Sequence, residues 1–318
     1  MKKIQLFALM GLMGGLLAAC GTQTGDFDAS KGVKLISRAA GSGTRECFFE
    51  SIGYKDVAKE DKWEANVVVT TQQTNPDMMQ AVKNEPYALG YCSLDSLSSV
   101  RGIKGLSYLG VTASVASVMD GTYKISRNFN YAIRAYEDEN SANSLATHAY
   151  VEFLTKSIEG YSAIVSAGGI LGSDQSGLKP WSELASKYAG LNENAVEIKT
   201  CGSTSVQSVL EKTSAKFSSL TGGKVTFKMN QQSSGAAIGG ITATSGDLYD
   251  IGFLSREIKD EEAAKLTDKN LRGSFCKDAV VPIVNGKNTA LDNITDKILV
   301  SLYKGEITTW ADAAKALA

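Results

Sequence analysis

Residues 37–45 read Ser37-Arg38-Ala39-Ala40-Gly41-Ser42-Gly43-Thr44-Arg45, and this stretch decides the fold. The apolar run Val33 to Ile36 before it reads as a strand, and Glu46 to Ser51 after it suits the opening turns of a helix. A Gly-Ser-Gly-Thr turn between strand and helix gathers backbone N–H groups, hydroxyls and the positive end of a helix dipole at one point. That is the outline of an anion site. Arg38, just before the turn, can add a planar fork of donors. Taken alone, such a loop reads first as a well-capped turn. A second loop of the same kind, Gly202-Ser203-Thr204-Ser205-Val206, shifts the reading toward a site.

Working outward, strands are expected at 33–38, 66–70, 87–92, 196–200, 224–229, 249–252 and 278–284. Helices are expected at 44–51, from Asn75-Pro76-Asp77 through Val82, at 141–157, 206–218, from Ser233 to about Thr242, and at 295–303 and 310–317. Residues 101–134 read as short strands and turns, and 168–195 as a connector with one short helix near Trp181. Strands alternating with helices predict an α/β fold built on parallel sheets. Three strand-to-helix turns, at 41–44, 202–205 and 233–235, carry Ser or Thr beside Gly. In open α/β sheets ligands sit beyond the carboxyl ends of the strands, where such turns lie.

The N-terminus reads as an export signal: Lys2 and Lys3, then apolar Ile4 to Leu17, too short to span a membrane. Leu17-Ala18-Ala19-Cys20 resembles the lipobox of bacterial lipoproteins, which implies cleavage before Cys20 and a lipid on Cys20. Residues 20–32 read as a flexible tether, and the mature chain is expected outside the cytoplasm, anchored to the membrane. Cleavage there leaves 299 of the 318 residues, enough for two lobes with real cores. Without Lys2 and Lys3 the chain carries 31 basic against 34 acidic side chains, a net charge of about −3. No basic stripe suggests a nucleic-acid partner. An anion would be held by local dipoles and a few charges. Cys47, Cys92, Cys201 and Cys276 permit disulfides with three connectivities, and no C-x-x-C spacing points to zinc. No cofactor is expected. The single histidine, His148, lines up with Glu152 and Lys156 at helical spacing and reads as part of a solvated face.

Several stretches together resemble the phosphate-binding lipoproteins of the phosphate-specific ABC importer (PstS-like). They are Gly-Ser-Thr-Ser-Val at 202–206, Ser-Ser-Gly at 233–235, Asp-Ile-Gly-Phe-Leu-Ser-Arg at 250–256, Gly-Glu-Ile-Thr-Thr-Trp at 305–310, and residues 37–45. Gly90 to Leu94 and Gly121 to Arg127 also fit, so the resemblance covers nearly all of the mature chain. In the family pattern the Gly-Ser-Thr-Ser loop comes first and the Gly-Ser-Gly-Thr loop comes after the tryptophan stretch. This chain starts just before the latter and ends just after Trp310, as a circular permutation would. The ends near Val33 and Ala318 are therefore expected close together in one lobe.

The resemblance implies a two-lobed periplasmic-binding-protein-like fold (type II) with mixed, mostly parallel sheets. Lobe A would be 33–100 plus 279–318, and lobe B 101–278. It implies a monomer that binds inorganic phosphate in the cleft and delivers it to the membrane permease of an importer. The ligand residues it implies are Arg38, Ser42, Gly43 and Thr44 from one lobe and Thr204, Ser205, Ser234 and Ser255 from the other. Cys47–Cys92 and Cys201–Cys276 pairs would keep each disulfide within a lobe. Arg45 and Arg256 would flank the site, more as ion-pair partners than as ligands. Two positions depart from the pattern. Ser255 stands where the best-known members have an aspartate that accepts the proton of hydrogen phosphate, and Ala40 stands where they have another near the arginine. A serine both donates and accepts, so it separates protonated from unprotonated oxyanions less sharply than a carboxylate does. Asp247, Asp250 and Asp278 are the candidate replacement acceptors. The alternatives are a binding protein for sulfate, molybdate or tungstate, a serine-dependent extracellular hydrolase, and an adhesin or sensor that kept the fold. Against the hydrolase stand the missing Gly-x-Ser-x-Gly elbow and the lone histidine on a polar face.

Overall fold

The computed structural model describes residues 27–318 except 189 and 192. The expected signal segment and the lipidated Cys20 lie outside the described residues. Eleven strands are described: β1 (Lys34–Arg38), β2 (Val69–Gln72), β3 (Ala88–Ser93), β4 (Ile103–Gly105), β5 (Ser107–Tyr108), β6 (Ser126–Ile133), β7 (Val196–Gly202), β8 (Val225–Gln231), β9 (Ile251–Leu254), β10 (Arg272–Asn285) and β11 (Asn293–Ile294). The main sheet runs β2-β1-β3-β10-β6-β9-β7-β8, with β4 also on β10. β2, β1 and β3 are parallel, as are β9, β7 and β8, whereas β10 runs antiparallel to β3 and to β6. The sheet is mixed, with its parallel parts at the two ends.

β10 joins the halves. Its first part, from Arg272 to Ala279, pairs with β6, and Val280 to Val284 pairs with β3. The chain leaves the first half between Ile125 and Ser126 and returns at Ala279, and the Val280 N–H donates to the Ile125 carbonyl at 2.8 Å beside that crossing. Two main hydrophobic cores match this division. One holds residues from Leu35 to Ile125, Ile170, and Ala279 to Ala313. The other runs from Phe129 to Cys276. Leu106, Tyr108, Val118 and Tyr123 pack in the first core, so the stretch after 100 sits with 33–100, which corrects the expected lobe boundary at that residue. β5 ties it there by pairing with β11.

Phe27 to Gly32 do not behave as a tether. Phe27 packs on Tyr87 and Trp310, Ala311 N–H donates to the Ala29 carbonyl at 2.7 Å, and Gly32 bridges Thr309. The first and last described segments therefore meet in one lobe. All four cysteines among the described residues are free and buried, which overturns both disulfides. Cys47 and Cys92 lie in the first core and Cys276 in the second, and burial pushes the Cys47 thiol up to about 11 and the Cys201 thiol up to about 12. The face expected to be solvated at His148 is so only in part, with His148 half-buried and Lys156 exposed. Glu152 alone is buried there, binding Lys156, Lys187 and the Tyr188 hydroxyl. A helix at Ile158–Ser166, unexpected from sequence, comes directly after it because Ser157 ends one helix and caps the next.

Candidate functional site

The loops after β1, β7, β8 and β9 meet between the two cores. Local chemistry shapes each of them. Gly41 takes φ +82°, and Ser42 then caps the helix Gly43–Ser51 by accepting from the Arg45 N–H at 3.4 Å. Gly202 takes φ +119°, and a Cβ there would lie 2.0 Å from the Phe253 carbonyl oxygen, so a glycine is required. Ser203 caps the short turn Thr204–Val206.

The sequence-derived residues from both lobes come together. Thr44 Oγ1 lies 2.6 Å from Ser205 Oγ. Arg38 Nη2 donates to Thr204 Oγ1 at 3.1 Å. A Cβ on Gly43 would lie 2.5 Å from both Ser234 Oγ and Ser255 Oγ, so only a glycine lets those serines approach. Ser234 and Ser255 sit 3.3 Å apart through their hydroxyls. The Gly235 N–H reaches the Gly41 carbonyl across the cleft at 3.3 Å. Ser42 is buried beside them, with its oxygen engaged as the helix cap.

Five hydroxyls in this cluster each accept from an N–H group. Arg127 Nη1 donates to Thr44 at 3.0 Å, Asn75 Nδ2 to Ser205 at 3.3 Å, and Arg38 to Thr204. The Ser205 N–H donates to Ser203 at 3.1 Å, and the Ser255 N–H to Ser234 at 3.1 Å. Ser203 and Ser255 then share a hydroxyl contact of 2.8 Å. Because each oxygen already accepts, its own proton points to another hydroxyl or to a ligand, as between Thr44 and Ser205. The cluster is thus rich in donors and suited to an oxyanion. None of these hydroxyls has a hydrogen bond to a carboxylate.

Arg38 is 1 % exposed, held by Asn75 Oδ1 at 2.7 Å and by the Gln73 carbonyl at 2.6 Å. Its Nε is buried without a hydrogen-bond partner. Burial, with Arg127 nearby, pulls its pKa down to about 10, so it stays charged at neutral pH. Sequence reading missed Arg127, Asn75 and Ser203 as members of this cluster. Ser203 was within sight, inside the Gly-Ser-Thr-Ser loop. Asn75 and Arg127 lie 130 and 83 residues from their partners, and no local pattern announces them. The two flanking arginines bind protein groups. Arg45 is fixed by the Val57, Arg38 and Glu60 carbonyls and by Asp61. Arg256 binds Glu262 through two 2.7 Å contacts and lies 3.3 Å from Glu46, which belongs to the other lobe. Of the candidate acceptors, Asp250 is bound by Tyr136 and the Lys199 N–H and Asp247 is exposed, whereas Asp278 pairs with Arg127 behind Thr44.

Comparison with known proteins agrees with this geometry. A model of the PBP superfamily domain matches residues 188–318. The chain is 30% identical to phosphate-binding protein PstS 2 of Streptococcus agalactiae serotype V over 99% of both chains. It is 31% identical to phosphate-binding protein PstS 2 of Streptococcus pneumoniae serotype 4, over 97% of this chain and 98% of that one. A crystal structure of a phosphate ABC transporter phosphate-binding protein from Streptococcus pneumoniae TIGR4 matches at a TM-score of 0.62 and 26% identity, over 89% of this chain and 99% of that one. The two PstS 2 relatives align from end to end, so they share this chain's loop order.

Proposed function

The chain belongs to the PstS family of phosphate-binding proteins, and from that premise we propose that it holds inorganic phosphate between its lobes and hands it to an ABC-type importer. It is a binding protein and not an enzyme. The observation that supports the site assignment is a set of five hydroxyls drawn from both lobes, Thr44, Ser203, Thr204, Ser205 and Ser234, whose oxygens each accept from an N–H group, with Arg38 bonded to Thr204. Thr44, Thr204, Ser205, Ser234 and Ser255 donate to the oxyanion, Gly43 and the Ser42 loop supply backbone N–H groups, and Arg38 supplies full charge. Each charge-assisted hydrogen bond contributes roughly 1.5–3 kcal/mol net, so several offset the desolvation of a dianion. Binding that bridges both lobes favours the closed arrangement, because only there do the two sets of donors meet.

The lipobox-like Leu17-Ala18-Ala19-Cys20 supports anchoring through a lipid on Cys20, with a permease in the same membrane as partner. No helix among the described residues is long and apolar enough to cross a membrane. The lobe division that the cores suggest is 27–125 plus 279–318 against 126–278. Meeting ends in one lobe support a permutation relative to family members with the other loop order.

One observation favours a second reading. The loop hydroxyls touch no carboxylate, and a site of donors alone also suits sulfate, molybdate or tungstate. Calorimetric titration of protein stripped of anion decides between them. Phosphate is expected to bind with micromolar or tighter affinity (about −8 kcal/mol or better), undisturbed by excess sulfate. Preference for sulfate or molybdate would overturn the ligand assignment, and no anion binding would overturn the site.

A further inference from the structure

The crossing between the lobes holds a buried ion pair. Asp278 on β10 and Arg127 on β6 are direct cross-strand partners just before β10 changes neighbour from β6 to β3. Both are buried. Asp278 Oδ2 accepts from Arg127 Nη2 at 2.7 Å, from Arg127 Nε at 3.0 Å and from the Ser93 hydroxyl. The remaining Arg127 nitrogen, Nη1, donates to Thr44 Oγ1. Asp278 Oδ1 is buried and has no partner at all.

We propose that this pair is a proton-linked part of the oxyanion site: Arg127 fixes Thr44 as a donor to phosphate, and Asp278 takes up a proton when the dianion is held beside it. The proposal rests on the phosphate reading above. Its physical basis is that Arg127 spends two nitrogens on Asp278 and one on Thr44, so the carboxylate stands one guanidinium away from the ligand. In a dry interior an added dianion makes a second anion there more costly. The proton can settle on Oδ1 without displacing Arg127 or Ser93 from Oδ2. Burial already pushes the Asp278 carboxyl up to about 6 against the opposing pull of Arg127, with Asp95 adding to the rise. The other titratable neighbours, Cys47, Cys92, Cys276 and Tyr123, are pushed up by burial and stay neutral. Asp278 thus restores proton sensitivity to a site whose ligand hydroxyls meet no carboxylate.

Linkage sets the sign. Binding raises the carboxyl's proton affinity further, so uptake occurs from neutrality down to about 6, and below that the group is protonated with or without ligand. The test is phosphate calorimetry at pH 6–7 in buffers of different ionisation enthalpy, on wild type and D278N. Phosphate's own ionisation is common to both, so their difference isolates Asp278. Wild type is expected to take up more protons per phosphate, and the wild-type to D278N affinity ratio is expected to rise as pH falls toward 6. R127K is expected to lose affinity about tenfold, as for one charge-assisted contact. Equal proton uptake with binding intact overturns the role of Asp278, and an unchanged R127K affinity overturns that of Arg127. Should D278N fail to fold, wild-type uptake no greater than phosphate's ionisation requires overturns it too. Failure of wild type to bind phosphate at any pH sinks the phosphate reading instead.

Discussion

Gly43 shows how much rests on one missing carbon. Its place at the start of a helix asks nothing unusual of the backbone, and an alanine there would suit the helix slightly better. The constraint comes from the opposite lobe, whose Ser234 and Ser255 hydroxyls occupy the space of its Cβ at 2.5 Å. Such a contact exists only when the lobes are together. G43A is therefore expected to leave thermal stability unchanged or slightly higher while weakening phosphate binding by at least about tenfold. A melting curve with a calorimetric titration checks both halves. Unchanged affinity would mean that the closed contact forms no part of the bound state. Arg38 is a similar case of position over identity. It was legible as a donor beside a glycine loop, but its fixed direction comes from Asn75 and the Gln73 carbonyl, 37 and 35 residues away.

At the scale of elements, turn chemistry was readable because it is local. Ser42 caps the helix that begins at Gly43 and Ser203 caps the turn at Thr204, so the loops after β1 and β7 fall where Gly and Ser said they would. The features that escaped were set by register. Residues 272–277, Arg-Gly-Ser-Phe-Cys-Lys, carry no clear alternation, yet they extend β10 because β6 pairs along them. The same pairing sets Asp278 opposite Arg127, 151 residues apart in the chain, which no spacing rule finds. The cysteines failed for a different reason. An even count in an exported chain suggests disulfides, but these thiols are buried and unpaired, Cys47 and Cys92 in the first core and Cys276 in the second. Burial raises all four, so each resists forming the reactive thiolate. A thiol reagent such as Ellman's is expected to find none of the four accessible in the folded protein and all four after denaturation, with no effect of reductant on the melting temperature. Fewer than four reactive thiols in the denatured, unreduced mature chain, once Cys20 is excluded, would mean that a disulfide forms after all.

At the scale of the whole molecule, two cores meet at the crossing of β6 and β10, and charges outside the Gly-Ser loops also span the cleft. Glu46, on the helix that begins at Gly43, is 1 % exposed and meets Lys259 of the other lobe at 2.8 Å. Arg256 Nε lies 3.3 Å from its Oε1, close enough for attraction but not aligned as a hydrogen bond, since both atoms lack a partner. Arg256 is itself held by Glu262 within its own lobe. The helix that begins at Gly43 thus carries a carboxylate to Lys259 and Arg256 of the opposite lobe, contacts that exist only when the lobes are together. Opening separates these charges into water, where they are solvated and screened. E46Q is expected to shift the ligand-free protein toward the open form, seen as a larger radius of gyration by small-angle X-ray scattering. It should also weaken phosphate binding by roughly threefold to tenfold, chiefly through faster release. Raising salt should open the wild type in the same direction and change E46Q less, because the mutant has lost the charge that salt would screen. Equal scattering profiles for the two proteins across the salt range would show that the ligand loops alone hold the lobes together.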